Sequence, residues 1–116
     1  MPTATDELSI VFHALADPTR RGMLERLSRG DATVGELGAP FAMSGPAVSQ
    51  HLRVLEKAKL VERRTRAQWR VCSLSQEPLD EAAAWVERNR REWHGRFDQL
   101  DAVLAEPEAE AEESGR

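Results

Sequence analysis

The residues best suited to recognition chemistry lie in one stretch near the middle of the chain, from Ser44 to Arg53. Apolar spacing predicts a helix here that buries one stripe of side chains: Val48, Leu52 and Leu55. Ser49, Gln50 and Arg53 then point outward or sideways, and glutamine suits adenine while arginine suits guanine or phosphate. We therefore expect DNA contact from Ser44, Ser49, Gln50 and Arg53. The alternative is that the two serines only cap or decorate the helix.

Arginines that could contact phosphates flank this stretch on both sides. Arg63, Arg64 and Arg66 follow it in a segment with the pattern of a hairpin, and Arg20 precedes it. Phosphate contacts of this kind fix register and orientation without reading base sequence. For the hairpin arginines, the alternative is a solvated strand edge that resists aggregation. For Arg20, it is a plain solvated surface.

The formal net charge of −4 conceals an uneven distribution along the chain. Residues 20–71 hold 11 basic and 5 acidic residues, which gives a local charge of +6. The rest of the chain holds 5 basic and 15 acidic residues, which gives −10. A basic centre between acidic ends is the electrostatic footprint of a protein whose middle faces phosphates. A solvated charged face is the simpler alternative.

Other kinds of chemistry find little support. No nucleophile is accompanied by a base and an orienting group, and no glycine loop for phosphate is present, so we expect neither enzyme activity nor a cofactor. Cys72 is the single cysteine, and its pattern predicts a small apolar filler, with redox sensing as the alternative. His94 and Asp98 share a helix face, but two ligands close a metal site only if a second subunit doubles them. We expect no metal.

The length of 116 residues suits one domain. No apolar run approaches a membrane span, and the N-terminal residues lack the basic and apolar regions of a signal peptide. We therefore expect a cytoplasmic protein without a membrane partner. A domain this small also buries only about two-thirds of its unfolded surface, so long apolar helices can require a partner subunit.

Helical spacing and breaking residues place the first four elements. An amphipathic helix is predicted from about Asp6 to Ala16, and Pro18 opens a second helix that ends at the Gly30-Asp31 turn. Thr33 followed by Glu36 predicts a capping box for a short third helix, which Pro40 must end. Ser44 is the expected N-cap of the fourth helix.

Alternation then predicts two paired strands, Leu60–Arg64 and Gln68–Leu74, around a tip that lacks the glycine or asparagine of tight hairpins. A long helix with heptad spacing is predicted from Pro78 to about Ala105. A flexible N-terminus at 1–5 and a disordered acidic tail at 106–116 would flank one domain at 6–105. The fold class is mainly α with a small β-hairpin, in the order of a winged helix-turn-helix.

The string VGELGAPFAMSGPAVSQHLRVLEKAKLVERR, from Val34 to Arg64, resembles the ArsR family of bacterial transcriptional repressors. The likeness extends upstream through HALADPTRRGMLERLSRG and downstream through EPLDEAAAWVERNRREW, which is similar to a non-metal-sensing subgroup. It implies a winged helix-turn-helix that represses by occupying promoter DNA, with Gly45 and His51 near that DNA. Gly45 departs from the side chains common at its position. For His51, the alternative is a buried or capping histidine.

The resemblance also implies a homodimer formed by the first and last helices, whose apolar stripes exceed what a small core can cover. The expected interface residues are Leu8, Val11, Phe12, Leu15, Val86, Trp93, Phe97 and Leu100. A twofold dimer predicts an imperfect palindrome with half-sites about 34 Å apart. The alternatives are packing of these stripes within one chain, a metal- or redox-responsive repressor of the same family, and a winged-helix module that binds protein. The sequence predicts no particular effector.

Overall fold

The computed structural model describes the backbone of residues 6–115 and the side chains of residues 6–104. The elements follow the predicted order of a mainly helical fold with a small antiparallel sheet: α1 (Glu7–Leu15), α2 (Pro18–Leu27), β1 (Ala32–Thr33), α3 (Val34–Gly38), α4 (Gly45–Lys57), β2 (Val61–Arg66), β3 (Trp69–Leu74) and α5 (Glu77–Gly115). The winged helix-turn-helix architecture is thus confirmed. The flexible N-terminus predicted for residues 1–5 lies outside the described residues.

Side-chain caps fix where the first helices begin. Asp6 precedes α1, and its Oδ1 accepts a hydrogen bond from the backbone N–H of Ser9 at 2.6 Å. Asp17 precedes α2, and its Oδ2 accepts one from the N–H of Arg20 at 3.0 Å. Pro18 is the first residue of α2, where its missing N–H costs nothing. The Asp17-Pro18 pair therefore separates α1 from α2, as the sequence predicted.

The capping box predicted for α3 is present. Oγ1 of Thr33 accepts from the backbone N–H of Glu36 at 3.1 Å, and Oε1 of Glu36 accepts from the N–H of Thr33 at 2.8 Å. These hydrogen bonds hold the pKa of Glu36 below its usual range, with the backbone of Thr33 as the main cause. Ser44 caps α4 in the same manner, since its Oγ accepts from the N–H of Ala47 at 3.3 Å.

The sheet contains one strand that the sequence analysis missed. Its order is β1-β3-β2, all antiparallel, with Ala32 of β1 opposite Cys72 of β3. The hairpin loop is also shorter than predicted, because Arg66 pairs with Trp69 and only Ala67 and Gln68 remain between the strands. Ala67 has a φ of 56°, the left-handed region that favours glycine in tight hairpins.

The core lies between the first four helices and the sheet. Its largest fully buried side chains are Met23, Leu37, Leu52, Leu55, Leu60 and Cys72. Val48 is also buried, so the apolar stripe predicted for α4 is confirmed. Burying each large apolar side chain contributes about 1.5 to 3 kcal/mol, which makes this stripe the main attachment of α4 to the domain.

The chain divides into two compact units, Met1–Ala82 and Ala83–Arg116. The second unit consists of most of α5, which the sequence predicted to end near Ala105. In the structure α5 extends to Gly115 and so includes residues 106–115 of the stretch 106–116, for which a disordered acidic tail was predicted. The side chains of residues 105–116 lie outside the described part, and the disorder of that stretch stays a prediction.

Candidate nucleic-acid interface

α4 presents a polar stripe to solvent on the side opposite its buried stripe. Gln50 and Arg53 are exposed, and Ser49 is half-buried beside them. Among residues 6–104, the side chains of Gln50 and Arg53 take part in no internal hydrogen bond or ion pair. Both are therefore available for base edges or phosphates, as the sequence predicted.

A close contact with α3 fixes the position of α4. A Cβ atom built on Gly38 would lie 2.8 Å from Cγ2 of Val48, which is closer than real Cβ contacts allow. Leu37, one residue earlier, is 1% exposed and belongs to the core. Glycine at position 38 thus lets α3 and α4 cross closely, and this holds the exposed stripe of α4 in one orientation.

The N-terminus of α4 carries two of the predicted contact residues. The Oγ of Ser44 is engaged as the helix cap, which agrees with the alternative given for that serine, although its hydroxyl can still donate. Gly45 is exposed, and a Cβ atom there would meet nothing within 4 Å. No packing requirement in the described residues calls for glycine at position 45.

Arg20 does not lie on the DNA-facing surface expected for it. It is 8% exposed. Its Nε donates to the carbonyl of Ala14 and its Nη2 to the carbonyl of His13, each at 2.9 Å. Both carbonyls lie in the last turn of α1; that of His13 also accepts from the backbone N–H of Ala16 at 3.2 Å, and the guanidinium completes the cap of the helix. This use inside the protomer argues against the predicted phosphate contact. Arg21, its exposed neighbour, donates to the carbonyl of Leu15 at 2.8 Å.

His51 joins α4 to the α1–α2 junction. Its Nδ1 lies 3.2 Å from Nη1 of Arg20 and 3.9 Å from Oδ2 of Asp17. Because a guanidinium only donates, Nδ1 of His51 is the acceptor of this hydrogen bond. The pKa of Asp17 is lowered chiefly because its carboxylate accepts the backbone N–H of Arg20, and the charge of Arg20 adds to the effect. His51 is therefore a half-buried residue that links α4 to the α1–α2 junction, and its contact with DNA stays a prediction.

Arg63 is held inside the domain by an ion pair. Its Nε donates to Oε2 of Glu56 at 3.1 Å and its Nη2 donates to Oε1 of the same carboxylate. This pairing raises the pKa of Arg63 and ties β2 to α4. The Arg63 side chain is only 19% exposed, which argues against the DNA contact predicted for it. Cys72 lies opposite Arg63 in the sheet, and burial raises the pKa of its thiol.

Arg64 and Arg66, the other two hairpin arginines, differ in whether their side chains have partners among residues 6–104. Nη2 of Arg64 donates to Oγ of Ser73 at 3.0 Å and lies 3.8 Å from Oδ2 of Asp31. Arg66 is exposed and makes no hydrogen bond or ion pair with any residue in the range 6–104. Arg66 is therefore the more available of the two for a phosphate or a groove.

Comparison with known proteins identifies this arrangement. A helix-turn-helix domain family matches residues 15–64. Transcriptional repressor SdpR of Bacillus subtilis is 36% identical over 76 residues, which cover 66% of this chain and 84% of that protein. A solved ArsR family transcriptional regulator superposes with a TM-score of 0.72 at 39% identity, over 77% of this chain and 98% of its own. The chain belongs to the ArsR family of transcriptional regulators.

Another solved neighbour of this ArsR-family chain is an ArsR-like transcriptional regulator from Rhodococcus sp. RHA1. It has a TM-score of 0.73 and 30% identity, and the match covers 84% of this chain and 92% of that one. The protein is thus a DNA-binding transcriptional repressor of the ArsR family, and its relatives are regulators rather than enzymes. α3 and α4 form its helix-turn-helix, and β2 with β3 forms its wing.

The residues expected at the dimer interface of this ArsR-family protein differ in exposure. On α1, Phe12 is 36% exposed and Leu8 and Leu15 are half-buried, but Val11 is 4% exposed and belongs to the protomer core. This burial leaves Val11 little surface for a partner. On the described part of α5, the four large apolar side chains predicted at the interface are exposed: Val86, Trp93, Phe97 and Leu100. Val103 and Leu104 are also exposed and continue the same stripe.

The residues weighed as sensors in this ArsR-family chain differ in exposure. His94 and Asp98 are exposed on α5, and Cys72 is buried in β3. Within the described residues, no group of three or more histidine, cysteine, aspartate or glutamate residues could hold a metal ion. No helix in the same part of the chain is long and apolar enough to cross a membrane.

The sequence analysis of this ArsR-family protein overlooked the end of its wing. Trp69 is 59% exposed, and Arg70 beside it is also exposed. Both had been treated only as strand residues. Strand alternation could have identified Trp69 as an exposed residue. Trp69, Val71 and Ser73 lie on one face of β3, and the buried Cys72 lies on the other.

Proposed function

We propose that this ArsR-family repressor binds a palindromic operator as a homodimer and places one α4 helix in the major groove of each half-site. The observation that carries the proposal is the exposed pair Gln50 and Arg53 on a helix whose opposite face is buried. A major groove about 12 Å wide admits such a helix. Glutamine at position 50 reads adenine, and arginine at position 53 reads guanine or holds a phosphate.

The distribution of charge supports the same reading. Residues 20–71 carry +6, and of these Arg53 and Arg66 are exposed without internal partners among residues 6–104. Acidic residues are concentrated outside this segment. The protein can therefore attract DNA through its middle despite an overall charge of −4.

Two apolar surfaces support the homodimer. On α5, the side chains of Trp93, Phe97 and Leu100 are 47%, 61% and 51% exposed, more apolar surface than a monomeric helix normally leaves in water. An open groove of about 420 Å³ lies beside α1, with Leu8, Ile10 and Pro78 among its lining residues. We propose that the α1 and α5 helices of a second copy cover these surfaces across a twofold axis, which places two α4 helices about 34 Å apart.

In this proposal, repression results from occupancy of the promoter by the bound protein. A dimer bound across promoter DNA excludes polymerase from the same duplex, and this requires no chemistry from the protein itself. Neither a metal nor a cofactor is needed for this role.

The test of sequence reading is Gln50→Ala on an operator selected from random duplexes. Loss of one good base contact costs about 1 to 3 kcal/mol of discrimination, so operator affinity falls about tenfold or more while affinity for random DNA changes little. Gln76→Ala is the matched control, because Gln76 is an exposed glutamine in the loop before α5. Unchanged discrimination in Gln50→Ala would remove α4 from the reading surface.

The test of assembly is Trp93→Glu, which places a charge in the exposed apolar stripe of α5. Sedimentation is expected to give monomers with weak operator binding. Gln99→Glu adds the same charge at an exposed position outside the stripe and should leave a dimer. A Trp93→Glu protein that still sediments as a dimer contradicts the proposed interface.

A further inference from the structure

The first turn of α4 carries an apolar ring on the same face as the candidate reading residues. Pro46 is exposed and lies in this turn. It precedes Gln50 by four residues and Arg53 by seven, and residues at these spacings share one face of an α-helix. Val48, two residues after Pro46, is 4% exposed and belongs to the core. The proline ring therefore lies on the exposed stripe of α4, opposite the stripe that attaches the helix to the domain.

The same turn has little capacity to form hydrogen bonds with a base. Pro46 has no backbone N–H, and the N–H of Ala47 donates to Oγ of Ser44 at 3.3 Å. The N–H of Val48 donates to the carbonyl of Ser44 at 3.0 Å. Gly45 has no side chain, and a Cβ atom there would meet nothing within 4 Å. The surface that this turn presents is therefore the apolar ring of Pro46, with no side chain at position 45 to cover it.

Thymine is the base that matches an apolar contact in the major groove. Each base pair presents a distinct set of groups there, and thymine alone adds a C5-methyl group. An apolar side chain against this methyl group distinguishes thymine from cytosine without a hydrogen bond. Helix geometry gives the position of the base relative to the one that Gln50 contacts. Four residues at about 1.5 Å each span about 6 Å, which is about two base-pair steps of about 3.4 Å.

We propose that Pro46 reads one thymine in each half-site through its C5-methyl group, about two base pairs from the base that Gln50 contacts. The ring packs against the methyl group, and the missing side chain at position 45 lets the edge of the base approach the helix. The inference rests on the proposed function and adds to it the identity of one base. Because the contact is apolar and releases no counterion, it does not depend on salt.

The experiment compares the selected operator with copies in which deoxyuridine replaces thymidine at one position of both half-sites, a change that removes only the methyl group. Burial of one such group changes affinity about fourfold, so at one position the wild-type dimer should lose about fifteenfold over the two half-sites. The salt slope should not change. Pro46→Ser should bind the unmodified operator about as weakly as wild type binds the modified one. Deoxyuridine at that position should then have no further effect.

Pro18→Ser is the matched control, because Pro18 is also an exposed proline in the first turn of a helix, α2. This variant should keep the full effect of deoxyuridine. Gln50→Ala should keep it as well, since it removes a different contact. Pro46→Val, which retains an apolar side chain, should keep part of it. Circular dichroism checks that each variant is folded under the conditions of the binding measurement.

Three results would overturn the inference and leave the proposed function intact. The selected operators could lack a constant thymine about two base pairs from the base read by Gln50. Wild type could bind equally well with deoxyuridine at every position, in which case weaker binding by Pro46→Ser would mean that the proline only starts α4. Pro46→Ser could also keep the full deoxyuridine effect. Failure of wild type to bind any selected operator overturns both proposals.

Discussion

Replacement of Arg20 by methionine tests whether this arginine supports the fold or holds DNA. Its guanidinium donates to two carbonyls at the end of α1 and to the ring of His51, and it is 8% exposed. A hydrogen bond from a charged donor contributes about 1.5 to 3 kcal/mol net, and a buried carbonyl left without a donor adds a desolvation cost. Arg20→Met is therefore expected to lower the free energy of unfolding by about 3 kcal/mol. For a domain of this size that is a fall in Tm of about 12 °C.

Arg21→Met is the matched control for this measurement. Arg21 also donates to a carbonyl at the end of α1, that of Leu15, but it does so from an exposed position. Its loss is expected to cost about 1 kcal/mol or less, because water can replace the donor. Thermal unfolding followed by circular dichroism, at equal protein concentration because dimerisation is linked to stability, compares the two variants.

The salt dependence of DNA binding separates the two roles of Arg20. If Arg20 contacts a phosphate, its removal lowers the salt slope by about one. If it only caps α1, the slope measured below the unfolding transition is unchanged. Equal stability of Arg20→Met and Arg21→Met, together with a reduced slope in Arg20→Met, would refute the capping role and restore the contact predicted from sequence.

Three further predictions concern local structure. Gly38→Ala should lower stability by about 1 to 3 kcal/mol in urea unfolding, because the new methyl group meets Val48 at 2.8 Å; unchanged stability would contradict the close crossing. Ala67→Gly should raise Tm, because it relieves a φ of 56° at the hairpin loop; a lower Tm would count against that turn. Asp17→Asn keeps a helix cap but removes a carboxylate whose pKa is lowered in the folded protein. The Tm of this variant should therefore lie below that of wild type above about pH 4, and the difference should disappear as the pH falls through the folded pKa of Asp17. A deficit independent of pH would show that the charge of Asp17 is immaterial.

Helix starts were the most predictable part of the fold. Thr33 with Glu36, Ser44, and Asp17 before Pro18 act through hydrogen bonds within three residues of one another, so their geometry follows from local sequence alone. The spacing of the apolar residues of α4 was equally informative, because one face of a helix must be buried in a domain this small.

Features that depend on distant partners could not be predicted. β1 is two residues long, which is too short to show alternation, and it exists because Ala32 and Thr33 meet β3. The hairpin loop consists of only Ala67 and Gln68, because strand pairing outweighed the preference of alanine for negative φ. In each case tertiary contact overrode the local signal.

The residues of the candidate site also differ in whether local sequence or distant partners decide their role. Gln50 and Arg53 lie on a surface that helical periodicity identifies, and the structure places them there. Arg20 and Arg63 have the same residue type as Arg53, but they are engaged by α1 carbonyls and by Glu56, partners that no spacing rule connects to them. Charge composition located the basic segment but could not distinguish a free arginine from one engaged inside the protein.

Position 45 gives this repressor room for evolutionary change. Gly45 stands at the first turn of α4, and a Cβ atom built there would meet nothing within 4 Å. Most residues that touch DNA must also satisfy the packing beneath them, so a change in specificity normally costs stability. At position 45, the requirements of DNA contact and of core packing do not conflict. With position 45 near DNA, as the resemblance to the family implies, a duplicated copy of the gene could acquire a new operator preference by a single substitution at this glycine without a compensating change in the core.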